Sequence, residues 1–233
     1  VMVLFSPRRV YESVLKHHTH LDWIIPIMVL VVLSTIQVNT WNEYLRNDQF
    51  EAVSSRLDKI KTLTEEQKAA QIEKVREGME KAAGFTHIMT NVSTVIGPVI
   101  FFCVIALVML AVASFMLKGK LTFGDAFRIG AMGSMISALG IIVRIPLVIS
   151  LESFAHAKLS VGFLFPEDFQ ESFLVKLVDF DLFTLWYLIV LCIGLSVFTK
   201  TPLKKALVPM TVLWVVFRAA TIGISGILGG IGA

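Results

Sequence analysis

Five long apolar runs, at residues 23–38, 92–117, 129–151, 182–198 and 206–231, constrain this chain more than any other feature. A helix needs about 20 consecutive apolar residues to cross a bilayer, with a range of roughly 17–25. The second, third and fifth runs reach that length. The first and fourth are shorter, with Asp22 and Asp181 at their edges, and extend through interfacial Trp and Phe. The expected fold is all-α: a polytopic transmembrane helical bundle of five spans with an extracytoplasmic helical hairpin. Composition agrees, since 55% of the residues are hydrophobic and 17% charged, against about half and about a quarter in soluble domains.

Orientation follows from Lys and Arg in the short loops. One side carries Arg8, Arg9 and Lys16, then Lys118, Lys120 and Arg128, then Lys200, Lys204 and Lys205. The other has the connection 152–181, with Lys158 and Lys176 against Glu152, Glu167, Asp168, Glu171, Asp179 and Asp181. The expected N-terminus is therefore cytoplasmic and the C-terminus extracytoplasmic. The first apolar run lacks a small-residue cleavage site after it, so no cleavable signal peptide is expected.

Residues 42–87 hold eight Lys/Arg and nine Asp/Glu, which nearly cancel. They form an insertion between spans one and two, so the membrane domain comprises 1–41 and 88–233. Phe50, Val53, Leu57 and Ile60 recur at helical spacing and make one apolar stripe. The pattern breaks at Leu63-Thr64, where Thr64-Glu65-Glu66-Gln67 has the form of a capping box. A second stripe follows at Ile72, Val75, Met79 and Ala82. Either stripe alone is too thin for a core, so the two are expected to pack on each other or on a partner.

Two flanking segments read as interfacial helices. Ser6-Pro7 starts one, with Val10, Val14 and Leu15 on a face. Pro166-Glu167-Asp168 starts the other, with Phe165, Phe169, Phe173 and Leu177 at steps of four. Within the bilayer, Ala126, Gly130, Ser134 and Ala138 form a ladder of small residues, as do Thr221, Ser225, Gly229 and Ala233 beside Gly226 and Gly230. Such faces serve internal packing or an oligomer seam, and spacing does not choose between them. Gly97-Pro98 is expected to kink the second span.

Arg218 lies about 12 residues into the fifth run, close to mid-bilayer at ~1.5 Å per residue. A cation there faces a polar interior or a partner, so it is either a structural ion pair or a substrate, ion or lipid contact. Arg144, nearer a span end, has the option of snorkelling to the interface. Asp179 and Asp181 are the candidate partners of both, and Asp181 three residues before Thr184 is also an ordinary helix cap. His17, His18 and His20 read as a solvated flank rather than a metal site, which needs ligands on a fixed scaffold. Cys103 and Cys192 read as small buried hydrophobes.

The excluded classes are as telling. There is no GxxxxGK[ST], HExxH or GxSxG, no span with two acids, and no mid-membrane His for a proton relay. A net charge of +3 with no basic stripe gives no case for nucleic acid. No catalytic residue, cofactor or metal is expected.

The chain resembles the Yip domain family, named for proteins that interact with Ypt/Rab GTPases, and its bacterial branch in particular. The resemblance rests on Phe5-Ser6-Pro7-Arg8-Arg9-Val10-Tyr11, on Phe123-Gly124-Asp125-Ala126-Phe127, and on Asp181-Leu182-Phe183-Thr184-Leu185-Trp186. Ile193-Gly194-Leu195-Ser196 and Lys204-Lys205-Ala206 continue it. It implies five spans with a cytoplasmic N-terminus, a bacterial cytoplasmic-membrane location, and no known catalytic residues. In eukaryotes the family is linked to vesicle trafficking and membrane shaping, and some bacterial relatives accompany export-type ABC transporters. The insertion 42–87 departs from the pattern. The functional expectation is a non-enzymatic accessory, scaffold or organiser of a membrane partner, with the lipid bilayer and a membrane protein or second copy as partners. The alternative is a small transporter or channel using Arg218 and Arg144.

Overall fold

The computed structural model describes residues 2–17, 19–58, 64–153, 157, 159–160 and 180–231. Among them are α1 (Met2–Phe5), α2 (Pro7–Lys16), α3 (Leu21–Asp58), α4 (Glu65–Ala111), α5 (Phe123–Gly133), α6 (Met135–Leu151), α7 (Leu182–Thr199) and α8 (Leu203–Ile231). A π-helical turn, Val112–Met116, ends α4. No strand occurs among the described residues, only an isolated bridge between Ser160 and Asp181. Five segments are long and apolar enough to cross a membrane: Leu21–Asn42, Glu65–Met116, Phe123–Leu151, Leu182–Thr199 and Leu203–Gly223. The fold is thus the all-α, five-span one expected. It divides into two compact units, one comprising Val1–Leu30, Val99–Gly140 and Leu159–Ala233, the other Val31–Pro98 and Ile141–Lys158.

The first unit is built around α7, the most buried of the five spans. Asp181 caps it: Oδ1 accepts from the backbone N–H groups of Phe183 at 2.7 Å and Thr184 at 3.3 Å, satisfying two of the donors that a helix start leaves free. At the far end Lys200 turns left-handed, with φ 53°, and the Ser196 hydroxyl donates to the Thr201 carbonyl at 2.6 Å. Pro7 opens α2 at a position where its missing N–H costs nothing. This helix does not lie free on an interface. Tyr11 and Val14 are buried in the same core as Ile129, Leu191 and Leu195, while Leu15 is exposed. The physical reason sits opposite: Gly194 leaves room for an aromatic ring, since a Cβ there would meet the Ile129 side chain and lie 3.1 Å from the Tyr11 ring.

Thr122 caps α5, accepting from the Asp125 N–H at 3.1 Å. Asp125 in turn takes Arg128 Nη1 at 2.9 Å in a half-buried ion pair. The third span is interrupted at Ser134, whose N–H reaches the Gly130 and Ala131 carbonyls, both at 3.2 Å, and whose hydroxyl donates to Ala131 at 2.6 Å. Ala126, Gly130, Ser134 and Ala138 are all buried. Tyr187 lies over this face, its hydroxyl 3.3 Å from the Gly130 carbonyl. That ladder therefore serves internal packing. In the second ladder Thr221 is half-buried, and the side chains from Ser225 onward lie outside the described set.

In the second unit, α3 and α4 run on well past the apolar runs. Residues 27–58 contain neither Gly nor Pro, so nothing in the sequence stops α3 at the membrane surface. Helix α4 starts at Glu65 and passes through Gly78, Gly84, Gly97 and Pro98 without a break. Trp41 is buried against Val148 and Ala157, and the Ser153 hydroxyl donates to Asp48 Oδ2 at 3.3 Å.

Candidate functional site: the α3–α4 hairpin

The hairpin starts its second helix with the reciprocal cap read from the sequence. The Thr64 N–H donates to Gln67 Oε1 at 3.1 Å, and the Gln67 N–H donates to Thr64 Oγ1 at 3.3 Å. Along α3, Phe50, Val53 and Leu57 are half-buried while Glu51, Ala52 and Ser55 are exposed. Along α4, Ile72, Val75 and Met79 are half-buried between exposed neighbours. The stripe then continues through Ala83 rather than Ala82, because steps of three, four and four keep closer to a 3.6-residue turn than steps of three, four and three. Ile60 lies outside the described residues. Surface pairs such as Lys81–Glu77 at 3.2 Å line the solvent side and add little stability.

Toward the membrane the two helices enclose a groove of about 710 Å³. Its walls carry side-chain amides at Gln37, Asn39, Asn42 and Gln49 from α3, and Thr86 and His87 from α4. Arg46 supplies a cation, and Leu45, Met79 and Ala83 an apolar part. Hydrogen bonds tie the walls together. Asn39 Oδ1 accepts from His87 Nε2 at 2.9 Å, and Asn39 Nδ2 approaches Asn91 Oδ1 at 3.4 Å while donating to the Thr35 carbonyl at 2.7 Å. Asn91 Nδ2 donates back to the His87 carbonyl at 2.9 Å. Polar bonds between spans contribute roughly 0.6–2 kcal/mol each. Sequence reasoning missed this clasp. His87 and Asn91 stand four apart, a legible helical pair, but their match with Asn39 depends on the hairpin's register.

The other candidate residues lie elsewhere. Arg144 is half-buried in α6 of the second unit and Arg218 half-buried in α8 of the first. The Arg218 carbonyl accepts the Thr221 hydroxyl at 2.8 Å. Asp181 is the α7 cap, and Asp179 lies outside the described residues, as does His18. Cys192 is buried and Cys103 half-buried. No group of three His, Cys, Asp or Glu side chains comes together among the described residues.

The segments that carried the family resemblance converge in the first unit. Tyr11 ends the first, Ile129 follows the second, and Gly194 stands in the fourth; these three meet. Phe183, in the third, packs 3.0 Å from where a Cβ on Gly140 would stand. The family model of the Yip1 domain matches residues 1–224. No curated protein and no solved structure matches the chain.

Proposed function

The chain belongs to the Yip1 domain family, and we propose that it is a non-enzymatic integral membrane protein that organises a membrane partner through the α3–α4 hairpin. One observation carries the reading. Two helices project beyond the apolar runs, the second opened by the Thr64–Gln67 cap, and each bears an apolar stripe that is only half-buried within the chain. A pair of helices this slender buries too little surface to be robust alone, and the stripes retain area for a partner to cover. With eight cations against nine acids in 42–87, the hairpin is neither a polybasic lipid anchor nor an acidic tail. In a bacterial cytoplasmic membrane the partner is an export-type ABC transporter, met on the extracytoplasmic side.

The test replaces Phe50, Val53, Ile72 and Val75 with Ser and purifies the full chain from native membranes. Loss of a co-purifying exporter, with the spans still folded, supports the proposal. Retention of that exporter sinks it. The alternative of a small transporter draws on half-buried Arg144 and Arg218, each on a helix of membrane-spanning length. Solute flux in proteoliposomes of the chain alone, abolished by Arg218→Gln, would put that reading in its place.

A further inference from the structure

The groove between α3 and α4 has a chemistry that the docking stripes do not use. It meets the second stripe at Met79 and otherwise lies on the membrane side of both, lined from Gln37 to Gln49 on α3 and from Met79 to Thr90 on α4. The first membrane-crossing segment ends at Asn42, and the second apolar run begins at Val92. At ~1.5 Å per residue, the groove therefore straddles the last turn of one span and the first extramembrane turns of both helices. That is the level of lipid headgroups.

Among the described residues its lining is rich in donors and contains no carboxylate. Asn42 and Gln49 present amides, Thr86 a hydroxyl and Arg46 a guanidinium, while the Thr90 hydroxyl already donates to the Thr86 carbonyl at 2.8 Å. Arg46 is exposed and belongs to none of the ion pairs found among the described residues. A planar five-donor cation flanked by neutral donors, with no acid among the described lining residues, suits an anionic phosphate group bidentately. Leu45, Met79 and Ala83 give the same groove an apolar wall, which suits the glycerol and first methylenes of a lipid rather than a fully hydrated anion. The volume, about 710 Å³, falls in the range of small-molecule sites, roughly 300–1,000 Å³. The Asn39–His87 bond of 2.9 Å holds the walls at a set separation, which lowers the ordering cost of binding.

We propose that this groove is a binding site for an anionic phosphate ester, taken from the bilayer as a phospholipid headgroup, with Arg46 as its anchor. The proposal does not depend on partner docking, because Arg46, Asn42 and Gln49 lie outside both stripes.

The test uses the full chain in neutral detergent, titrated with short-chain phosphatidylglycerol, short-chain phosphatidylcholine or inorganic phosphate, with thermal unfolding as the readout. Phosphatidylglycerol should raise the unfolding temperature saturably. Arg46→Gln should weaken that apparent affinity about tenfold, the loss expected for one charge-assisted bond. Arg76→Gln, an exposed cation outside the groove, should leave it unchanged and controls for general charge. Gln49→Leu should weaken it by less than Arg46→Gln does. Saturable stabilisation by inorganic phosphate, lost in Arg46→Gln, supports the anion site and moves its source from lipid to solution. Equal stabilisation by phosphatidylcholine and phosphatidylglycerol, or an Arg46→Gln response equal to wild type, overturns the proposal.

Discussion

The hydroxyl of Tyr11 donates to the backbone carbonyl of Ile129 at 3.2 Å, joining residues 118 apart in the chain. Through this bond and its ring, which meets Phe198 edge-on at 6.4 Å, helix α2 is fastened to the cores of the third and fourth spans. Tyr11 is fully buried, so the polar end of the side chain has no water to fall back on and needs that carbonyl.

Removing only the hydroxyl, in Tyr11→Phe, should therefore lower stability in detergent by about 1 kcal/mol. Tyr11→Ala should cost about 3–5 kcal/mol, as for other large aromatic deletions. The same residue sets a pH dependence. Burial, with neighbouring Tyr187 adding to it, pushes the Tyr11 hydroxyl well above its ordinary value of 10.0. The folded state thus keeps a proton that the unfolded state loses first. Its contribution is complete below pH about 10 and declines as pH rises from there toward the folded value. Melting temperatures of wild type should fall above that pH more steeply than those of Tyr11→Phe. Parallel profiles for the two proteins would show that Tyr11 is not the group responsible.

Gly194 and Gly130 offer a paired comparison. An added Cβ at Gly194 would collide with the Ile129 side chain and press on the Tyr11 ring at 3.1 Å, whereas at Gly130 the nearest atoms stand at an ordinary 3.6 Å. Neither glycine has a positive φ, so the difference is steric and not conformational. Gly194→Ala should destabilise by about 1–3 kcal/mol. Gly130→Ala should be close to neutral, with the gain in helix propensity, roughly 0.5–1 kcal/mol, available to offset small adjustments. Thermal unfolding of both variants in one detergent checks the order; a Gly130→Ala more damaging than Gly194→Ala would refute the packing argument.

These residues also mark how far the sequence could be read. The five spans were legible because apolar length alone decides membrane crossing. The Thr64–Gln67 cap and the two hairpin stripes were legible because both are local patterns, completed within one or two helical turns. The docking of α2 was not. Periodicity gave it a face of Val10, Val14 and Leu15, but what fills a face is set by the surface opposite, and Gly194 lies 183 positions beyond Tyr11. The clasp of Asn39 with His87 was hidden for the same reason, as it needs the register of two helices of 38 and 47 residues. Arg218 and Arg144 drew attention as charges in apolar runs, yet the amide-lined groove sits at the edge of those runs, where Asn, Gln and Thr look unexceptional in sequence.

Gly119 packs against Thr199, with a Cβ there only 2.7 Å from its side chain, while Tyr11 packs against Phe198 and Gly194. The short loop 118–120, the loop 200–202 with the first turn of α8, and the helix α2 therefore gather at one end of the first unit. They bring Arg8, Arg9, Lys118, Lys120, Lys200, Lys204 and Lys205 with them. Cations concentrated in short loops stay on the cytoplasmic side, so this end is expected to face the cytoplasm and the α3–α4 hairpin the opposite compartment. With Cys103 and Cys192 replaced by Ala, a single cysteine at Gln71 should react with a membrane-impermeant thiol reagent in sealed cells. Cysteines at Lys120 or Lys204 should react only after permeabilisation. Gln71 and Lys120 are both exposed, so a difference between them reports sidedness and not burial. Labelling of Lys120 but not Gln71 in sealed cells would invert the orientation, and would move both the hairpin and its groove to the cytoplasmic leaflet.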